Sequence, residues 1–170
     1  MIMMGGPVRK RKAVALEVQD KLLVRPLEQA DIPSIIAIDA RIAGAPKPEY
    51  WRHKLAQYVT QHDAPGEPGN GVLARAAVID DKLVAFMIGG VRRWEFGQPA
   101  SGWITSLAVD PDWQKMGIGR RLLAELLAYY REQELPEVRT IVDWVDADLL
   151  RFFHSMGFVR GPYVELQKLL

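Results

Sequence analysis

The segment 114–120 reads Gln-Lys-Met-Gly-Ile-Gly-Arg and places two glycines among polar and basic residues. Gly117 and Gly119 lack a Cβ atom, so a ligand can approach their backbone closely. Apolar residues recur at helical spacing from Ile118 onward, and the first N–H groups of a helix have no partner within it. The helix dipole favours an anion at this end, and the lysine and arginine of the segment add positive charge. The segment therefore predicts a cradle for the phosphate groups of a ligand.

This cradle has to be held by the elements on either side of it. Residues 103–109 are rich in β-branched and apolar types and predict a central strand. Asp110-Pro111-Asp112 predicts a turn, because proline fixes φ and removes a hydrogen-bond donor. The apolar spacing after the glycines predicts a helix from Ile118 to about Glu134. The loop is thus expected between the end of a strand and the start of a helix.

The rest of the chain adds strands and helices in the order βαα-βββ-αβαβ(β). This order predicts an α/β (α+β) fold with a mixed, mostly antiparallel central sheet flanked by helices. Asp80-Asp81 suits a tight hairpin, and residues 63–71 predict an exposed loop. Further strands are expected at 22–26, 72–79, 82–91, 138–145, 158–159 and 163–169, and further helices between Asp31 and Gly44, over 47–62 and over 146–156.

Length and composition describe an ordinary globular chain. The 170 residues are 49% hydrophobic and 25% charged, with a formal net charge of +1. We therefore expect one domain over residues 21–170, preceded by a flexible tail over 1–20 whose basic run Arg9–Lys12 is solvated. The near-zero charge predicts no nucleic-acid partner, and no apolar run reaches membrane-spanning length. The absence of cysteine excludes a disulfide framework and is compatible with a cytoplasmic location.

Residues 109–119 fit the pattern Val-x-Pro-x-x-Gln-x-x-Gly-x-Gly. This pattern resembles the acyl-CoA-binding motif of the GNAT (N-acetyltransferase) superfamily, and the predicted element order is similar to that family over nearly all of residues 22–170. The resemblance implies a GNAT fold and an acyltransferase that moves an acetyl group from acetyl-CoA to an amine by direct attack. It allows either a small-molecule amine or a protein amine as the acceptor. The family often dimerises, so a homodimer is compatible with the resemblance.

The resemblance also places the cofactor on this sequence. Backbone groups of the central strand would face the pantetheine arm, and the glycine loop would hold the pyrophosphate. A second signature of the family, Asn-x-x-Ala-x-x-Phe-Tyr-x-x-x-Gly-Phe, is similar to residues 146–158. The implied cofactor-binding residues are Leu107, Ala108, Val109, Gln114, Lys115, Met116, Gly117, Ile118, Gly119, Arg120, Asp146 and Phe153.

Two departures from that second signature concern the cofactor site. Asp146 stands where asparagine is usual, and Phe153 stands where the family commonly has a tyrosine beside the cofactor sulfur. That tyrosine often protonates the departing thiolate, which phenylalanine cannot do. A CoA thiol is a fair leaving group, so acyl transfer does not require this acid. His154 is a replacement candidate, although on a helix it points about 100° away from Phe153.

The general base has to come from outside the central strand, because residues 103–109 contain no acidic side chain. Glu95 is the first candidate, since it lies in a charged and aromatic cluster near the expected acceptor cleft. Asp143 is the second candidate, and each carboxylate has an alternative role as a cap or salt-bridge partner. Trp51 and His53 are candidates for acceptor contact, with a core aromatic and a solvated histidine as the alternatives. The histidines have no metal-ligand spacing, so no metal site is predicted.

Two other functions stay open on the sequence alone. A binding module that holds acyl-CoA without catalysis would explain Phe153 and the central strand without a carboxylate. A nucleotide-dependent oxidoreductase on a Rossmann fold would also use a glycine loop. In this sequence, however, the third glycine of the G-x-G-x-x-G pattern is absent, and the loop follows several strands instead of the first one.

Overall fold

A five-stranded sheet, with its first strand at Leu23 and its last ending at Thr140, organises the described residues of this part of the chain. The structure, a computed structural model, describes residues 15–59, 72–97 and 99–169. In the sheet, β4 and β5 pair in parallel and the other neighbours pair antiparallel, which confirms the mixed, mostly antiparallel sheet. The strands lie side by side in chain order: β1 (Leu23–Pro26), β2 (Leu73–Ile79), β3 (Lys82–Arg93), β4 (Ala100–Val109) and β5 (Val138–Thr140).

The helices begin and end close to the predicted positions. The described helices are α1 (residues 15–21), α2 (Ile32–Ala43), α3 (Pro48–Val59), α4 (Ile118–Glu132) and α5 (Ala147–Ser155). Two short 3-10 turns cover Gln29–Asp31 and Pro111–Trp113. Gly44, with φ of +82°, ends α2, and Gly157, with φ of +87°, follows α5, as the sequence predicts for a glycine after a helix.

Helices cover both faces of the sheet. Phe86 and Ile88 of β3 pack with α2 and α3 in one buried cluster, which includes Leu55. Side chains alternate along a strand, so Gly89 faces the opposite side. There the helix α4 approaches, and the Tyr130 hydroxyl lies 3.0 Å from the carbonyl oxygen of Gly90 and 2.8 Å from that of Trp103.

The hairpin between β2 and β3 has the geometry that its sequence predicts. Asp80 and Asp81 have φ of +48° and +61°. Two successive positive φ values match the right-handed twist of the flanking strands, and aspartate tolerates them better than most residues.

The chain after Thr140 differs from the prediction. The strand expected over 138–145 ends at Thr140, because the Asp143 carboxylate accepts the Val145 N–H and the Asp143 carbonyl accepts the Asp146 N–H. These local bonds form a turn that competes with a strand ladder. The strands expected at 158–159 and 163–169 are also wrong, because that described segment has no regular structure. Strand-type residues alone do not form a strand without a neighbouring edge to pair with.

The chain divides into two compact units, Met1–Thr140 and Ile141–Leu170. The single domain expected over residues 21–170 stays a prediction. Residues 15–20, expected in a flexible tail, instead belong to α1, and Val18 is buried there. The tail residues 1–14, the loop expected at 63–71 and the last residues expected in α3 lie outside the described residues.

None of the helices described in residues 15–59, 72–97 and 99–169 is long and apolar enough to cross a membrane. The cytoplasmic location stays a prediction.

Candidate functional site

The sheet opens beside β4 at Thr105. The described ladder between β4 and β5 joins Gly102–Ile104 to Val138–Thr140, and no pairing with β5 is described beyond it. At the same place the register with β3 shifts, so that Thr105 is an extra residue of β4. Such a β-bulge bends a strand and often lies next to a functional site. The edge of β4 after Ile104 is therefore not used by β5.

Along β4, the backbone N–H and C=O groups of successive residues point alternately toward β3 and toward the open edge. The Asp110 N–H donates to the Val84 carbonyl at 2.8 Å, so Asp110 faces β3. By alternation the backbone of Ala108 also faces β3, and the backbones of Leu107 and Val109 face away from it. The Gln114 side-chain amide donates to the outward Val109 carbonyl at 3.1 Å. Two of the three predicted strand residues thus present backbone groups outward, and Ala108 does not.

The turn after β4 is fixed by Arg41 of α2. Its guanidinium lies 2.6 Å from a carboxylate oxygen of the buried Asp110 and 3.1 Å from one of Asp112. The hydrogen bonds that Arg41 donates to Asp112 and Asp110 raise the pKa of its guanidinium. The Asp110 carboxylate also accepts the Asp112 N–H at 3.0 Å. A helix of the α2–α3 layer is in this way tied to the start of the glycine loop.

Gly117 places the loop at the N-terminus of α4. It is the N-cap residue with φ of +84° and ψ of 0°, a left-handed conformation that glycine adopts without strain. No side chain caps this helix, and the first helical bond runs from the Arg121 N–H to the Gly117 carbonyl. The side-chain amide of Gln19 in α1 donates a hydrogen bond to the Met116 carbonyl at 2.8 Å, which stabilises the preceding turn. An uncapped N-terminus beside Lys115 and Arg120 suits an anion, so the residues present fit a diphosphate.

The predicted residues beyond Thr140 have local partners within their own unit. The Asp146 carboxylate caps α5 by accepting the Leu149 N–H at 2.9 Å. The Asp143 carboxylate accepts the Val145 N–H at 3.1 Å. Phe153 is buried, and its ring lies edge-on to Phe152 and Phe158. The Asp146 carboxylate is therefore a helix cap, and the Asp143 carboxylate is part of a turn.

Glu95 lies in the loop after β3. Its carboxylate is 3.5 Å from Arg92, in a cluster where the Arg92 guanidinium lies 4.2 Å from the centre of the Trp103 ring. The register pairs Arg93 with Ala100, so Glu95 lies beyond the first residue of β4. Ala100 precedes Thr105 by five residues, roughly 17 Å along an extended strand. The sheet register therefore does not bring Glu95 to the open edge.

The acceptor candidates on α3 occupy different environments. Trp51 is 4% exposed and packs edge-on against Phe86 at 5.1 Å, so its ring is part of the core. His53 and His154 are exposed. In the described residues there is no group of three or more His, Asp or Glu side chains that could hold a metal ion.

A polar group that the sequence analysis missed lies at the bulge. The Lys54 ammonium of α3 is 2.7 Å from the Ser106 hydroxyl, 2.9 Å from the Tyr50 hydroxyl and 3.3 Å from the Thr105 carbonyl. The spacing of Tyr50 and Lys54 by four residues on one helix was a usable signal. Nothing in the local sequence indicated that this helix face meets β4.

Comparisons of the sequence with known proteins find a matching family and relatives. The model of the "Acetyltransferase (GNAT) family" matches residues 34–158. A mycothiol acetyltransferase of Rhodococcus jostii is 29% identical over 132 residues, covering 76% of this chain and 43% of the relative. A mycothiol acetyltransferase of Acidothermus cellulolyticus is 39% identical over 62 residues, covering 36% of this chain and 19% of the relative. The chain thus spans less than half the length of these curated relatives.

Solved structures share the fold at low sequence identity. A ribosomal-protein-alanine N-acetyltransferase of Brucella melitensis is 17% identical with a TM-score of 0.67, covering 88% of this chain and 99% of that one. An aminoglycoside N-acetyltransferase solved in complex with CoA is 12% identical with a TM-score of 0.68, covering 87% of this chain and 94% of that one. These likenesses support the fold, while the family model covers most of the chain, and on that match the chain belongs to the GNAT acetyltransferase family.

Proposed function

We propose that this protein transfers an acetyl group from acetyl-CoA to an amine. The observation that carries the proposal is the uncapped N-terminus of α4, entered through the left-handed Gly117, directly after the open edge of β4. Membership of the GNAT family supports the same conclusion. The names of the relatives and structural neighbours cover both small-molecule and protein amines, so both acceptor classes are retained.

The residues of the open β4 edge and of the glycine loop before α4 are suited to hold the donor. Lys115 and Arg120, with the N–H groups of Ile118 and Gly119, would bind the pyrophosphate. The outward backbone groups of Leu107 and Val109 would pair with the amides of the pantetheine arm, as a strand edge pairs with an extended peptide. Gln114, Met116, Asp146 and Phe153 are retained as proposed donor contacts.

The donor supplies an acetyl group already activated as a thioester. The protein has to hold a neutral amine against the carbonyl carbon, so that a C–N bond forms as the C–S bond breaks. A base then takes the extra proton of the amine, and the departing thiolate gains a proton from water or from a polar group of the site. Glu95 and Asp143 remain the proposed bases. Because Phe153 carries no proton to give, this position does not supply the acid.

The primary experiment measures thiol release from acetyl-CoA against a broad panel of amines. We expect release that depends on an added amine and saturates with acetyl-CoA. Calorimetry with CoA and with NADH is run in parallel. Tight CoA binding without turnover on any amine would favour the non-catalytic binding module, and binding of NADH in place of CoA would favour the oxidoreductase.

Glu95→Gln and Asp143→Asn test the base. Substitution of the residue that acts as the base should lower kcat/KM. It should also remove the lower inflection of the pH profile, because the group that must be deprotonated is no longer present. Glu132→Gln is the matched control, since Glu132 is exposed on α4. A Glu95→Gln enzyme whose pH profile matches that of the control removes Glu95 from the reaction.

A further inference from the structure

The Lys54 ammonium lies in an unusual charge environment for a partly buried cation. Three oxygens surround it, from Tyr50, Thr105 and Ser106, and all three are neutral. It also lies 5.2 Å from the centre of the Tyr50 ring and 5.5 Å from that of Trp51. Ring faces attract a cation but do not neutralise its charge.

Other partly buried cations of the same unit have carboxylate partners. Arg25 pairs with Asp31, Arg75 with Glu125 and Arg139 with Glu137. For Lys54, no carboxylate within the described part of the chain lies within 4.0 Å of the ammonium nitrogen. A charge removed from water without a counter-ion is costly, so this arrangement favours an anion that arrives with a ligand.

A second donor nearby has no partner. The Trp51 indole N–H is buried and makes no hydrogen bond within the described residues. It belongs to the same helix as Lys54, three residues earlier. The helix that carries Lys54 thus also carries a buried donor that no described residue satisfies.

The position of Lys54 separates this anion from the phosphates of the donor. Lys54 contacts β4 at the bulge, where the ladder with β5 ends. The anion cradle at Gly117 follows the opposite end of the open edge, after Val109. From Ser106 to Val109 the strand alone spans about 10 Å, so the cradle and the ammonium serve different charges.

We propose that Lys54 binds a carboxylate of the acceptor, which makes the acceptor an amine that also carries a carboxylate. This inference rests on the proposed acetyl transfer and narrows its acceptor class. The longest of the three Lys54 contacts, 3.3 Å to the Thr105 carbonyl, is the one that a carboxylate replaces most easily. That carbonyl also accepts the Ser106 hydroxyl at 2.8 Å and so keeps a hydrogen bond.

The test compares acceptors that differ only in the carboxylate. Dipeptides are paired with their C-terminal amides, and ω-amino acids of three to six carbons with n-alkylamines of equal length. Thiol release gives kcat/KM for each pair in the wild-type protein, in Lys54→Met and in Lys54→Arg. Arg52→Met is the matched control, because Arg52 is an exposed cation on the same helix and its loss changes the net charge equally.

We expect the wild-type protein to prefer the acidic member of at least one pair. Lys54→Met should lower kcat/KM for that acceptor by about 10- to 100-fold, the range for a hydrogen bond to a charged group, and leave the neutral member within a few-fold. Lys54→Arg should retain much of the preference, and Arg52→Met all of it. Thermal unfolding of each variant shows that the fold is intact.

Equal losses for acidic and neutral acceptors in Lys54→Met would assign Lys54 to packing or to the chemical step and overturn the inference. So would a wild-type protein without preference within any pair. If no amine releases thiol, the proposed function fails separately. The same pairs are then titrated by calorimetry in the presence of CoA, where equal affinity of acidic and neutral amines also overturns the inference.

Discussion

At the scale of single residues, backbone freedom at one glycine positions the proposed anion cradle. Gly117 has φ of +84°, which a residue with a Cβ atom adopts only with strain, and a Cβ there would lie 3.2 Å from the Gln19 side-chain amide. The orientation of the first turn of α4, and hence of its unpaired N–H groups, depends on this conformation. Gly44 has a nearly identical φ of +82°, with no atom within 4 Å of a Cβ built on it.

Gly117→Ala and Gly44→Ala separate the cost of backbone strain from an effect on CoA binding. Each should destabilise the fold by about 1–2 kcal/mol, the cost of a left-handed non-glycine residue. Only Gly117→Ala should weaken CoA binding, because Gly44 ends α2 and takes no part in the loop. Denaturant unfolding measures the first effect and calorimetry the second. Equal CoA affinity in both variants would contradict the role assigned to Gly117.

Asp31 makes stability depend on pH. Burial raises the pKa of its carboxyl. Hydrogen bonds from Arg25 and from the Glu28 N–H together lower this pKa by more than burial raises it, so the pKa lies below the usual range. A folded pKa below the unfolded value, about 3.9, gives stability that is present above that pH and lost as pH falls through the folded pKa.

Asp31→Asn should therefore be less stable than the wild-type protein by about 1–3 kcal/mol at neutral pH, since charged hydrogen bonds are lost. The difference should shrink as pH falls below about 4, where the carboxyl of the unfolded chain takes up a proton, and should be smallest below the lower folded pKa, where the native carboxyl is neutral as well. Urea unfolding across this range measures it. Asp148→Asn is the control, because its ion pair with Arg151 is exposed and worth little. A difference that persists unchanged at low pH would show that the charge of Asp31 is not its source.

At the scale of elements, α4 lies close to the sheet because β3 and β4 carry glycines beneath it. A Cβ built on Gly89 would meet the Tyr130 hydroxyl, the Trp103 carbonyl oxygen at 2.9 Å and a Leu126 methyl at 3.0 Å. The same construction at Gly90 meets nothing within 4 Å. Close packing therefore requires glycine at position 89 but not at position 90.

Gly89→Ala should destabilise the fold by about 1–3 kcal/mol through overpacking against α4 and the β4 backbone. Gly90→Ala should stay within about 0.5 kcal/mol of the wild-type protein, because the added methyl group enters open space. Free energies of unfolding from urea titration compare the two. Similar values would mean that α4 moves away from the sheet at little cost.

Elements with strong local signals could be predicted from the sequence. The glycines and prolines at 44–48 and the aspartates at 80–81 end or turn the chain through their own backbone preferences. The segment 138–145 was harder, since Asp143 bonds its own neighbours and only three residues pair with β4. The residues at 158–169 have strand composition without a strand, because pairing depends on where another edge lies.

The residues of the candidate site also differ in how far local sequence predicts them. The cradle proposed at Gly117 is local in sequence, and its residue types and spacing were enough to predict it. Lys54 was missed because its contacts to Thr105 and Ser106 join residues about 50 positions apart. Glu95 was chosen for the charged cluster around it, and only the register of β3 on β4 shows how far along the strand that cluster lies. Contacts of this kind follow from tertiary packing.

At the scale of the whole molecule, β4 connects the two parts of the proposed reaction. One end of its open edge leads into the proposed donor cradle, and the other meets Lys54 at the bulge. Arg41 links α2 to the turn that starts the cradle. Binding of the donor should therefore stabilise the sheet and the helices on it together, and not the glycine loop alone.

This coupling predicts a rise in Tm with CoA. At a free concentration about 100 times Kd, binding to the native state adds about 2.7 kcal/mol, which for a chain of this size raises Tm by roughly 5–10 °C. NADH at the same concentration should leave Tm unchanged, because the chain lacks the third glycine of a dinucleotide loop. Arg41→Met should reduce the shift with CoA, since the turn before Gly117 loses its partner, while Arg52→Met should not. A CoA shift equal in Arg41→Met and wild type would show that the loop holds its position without α2.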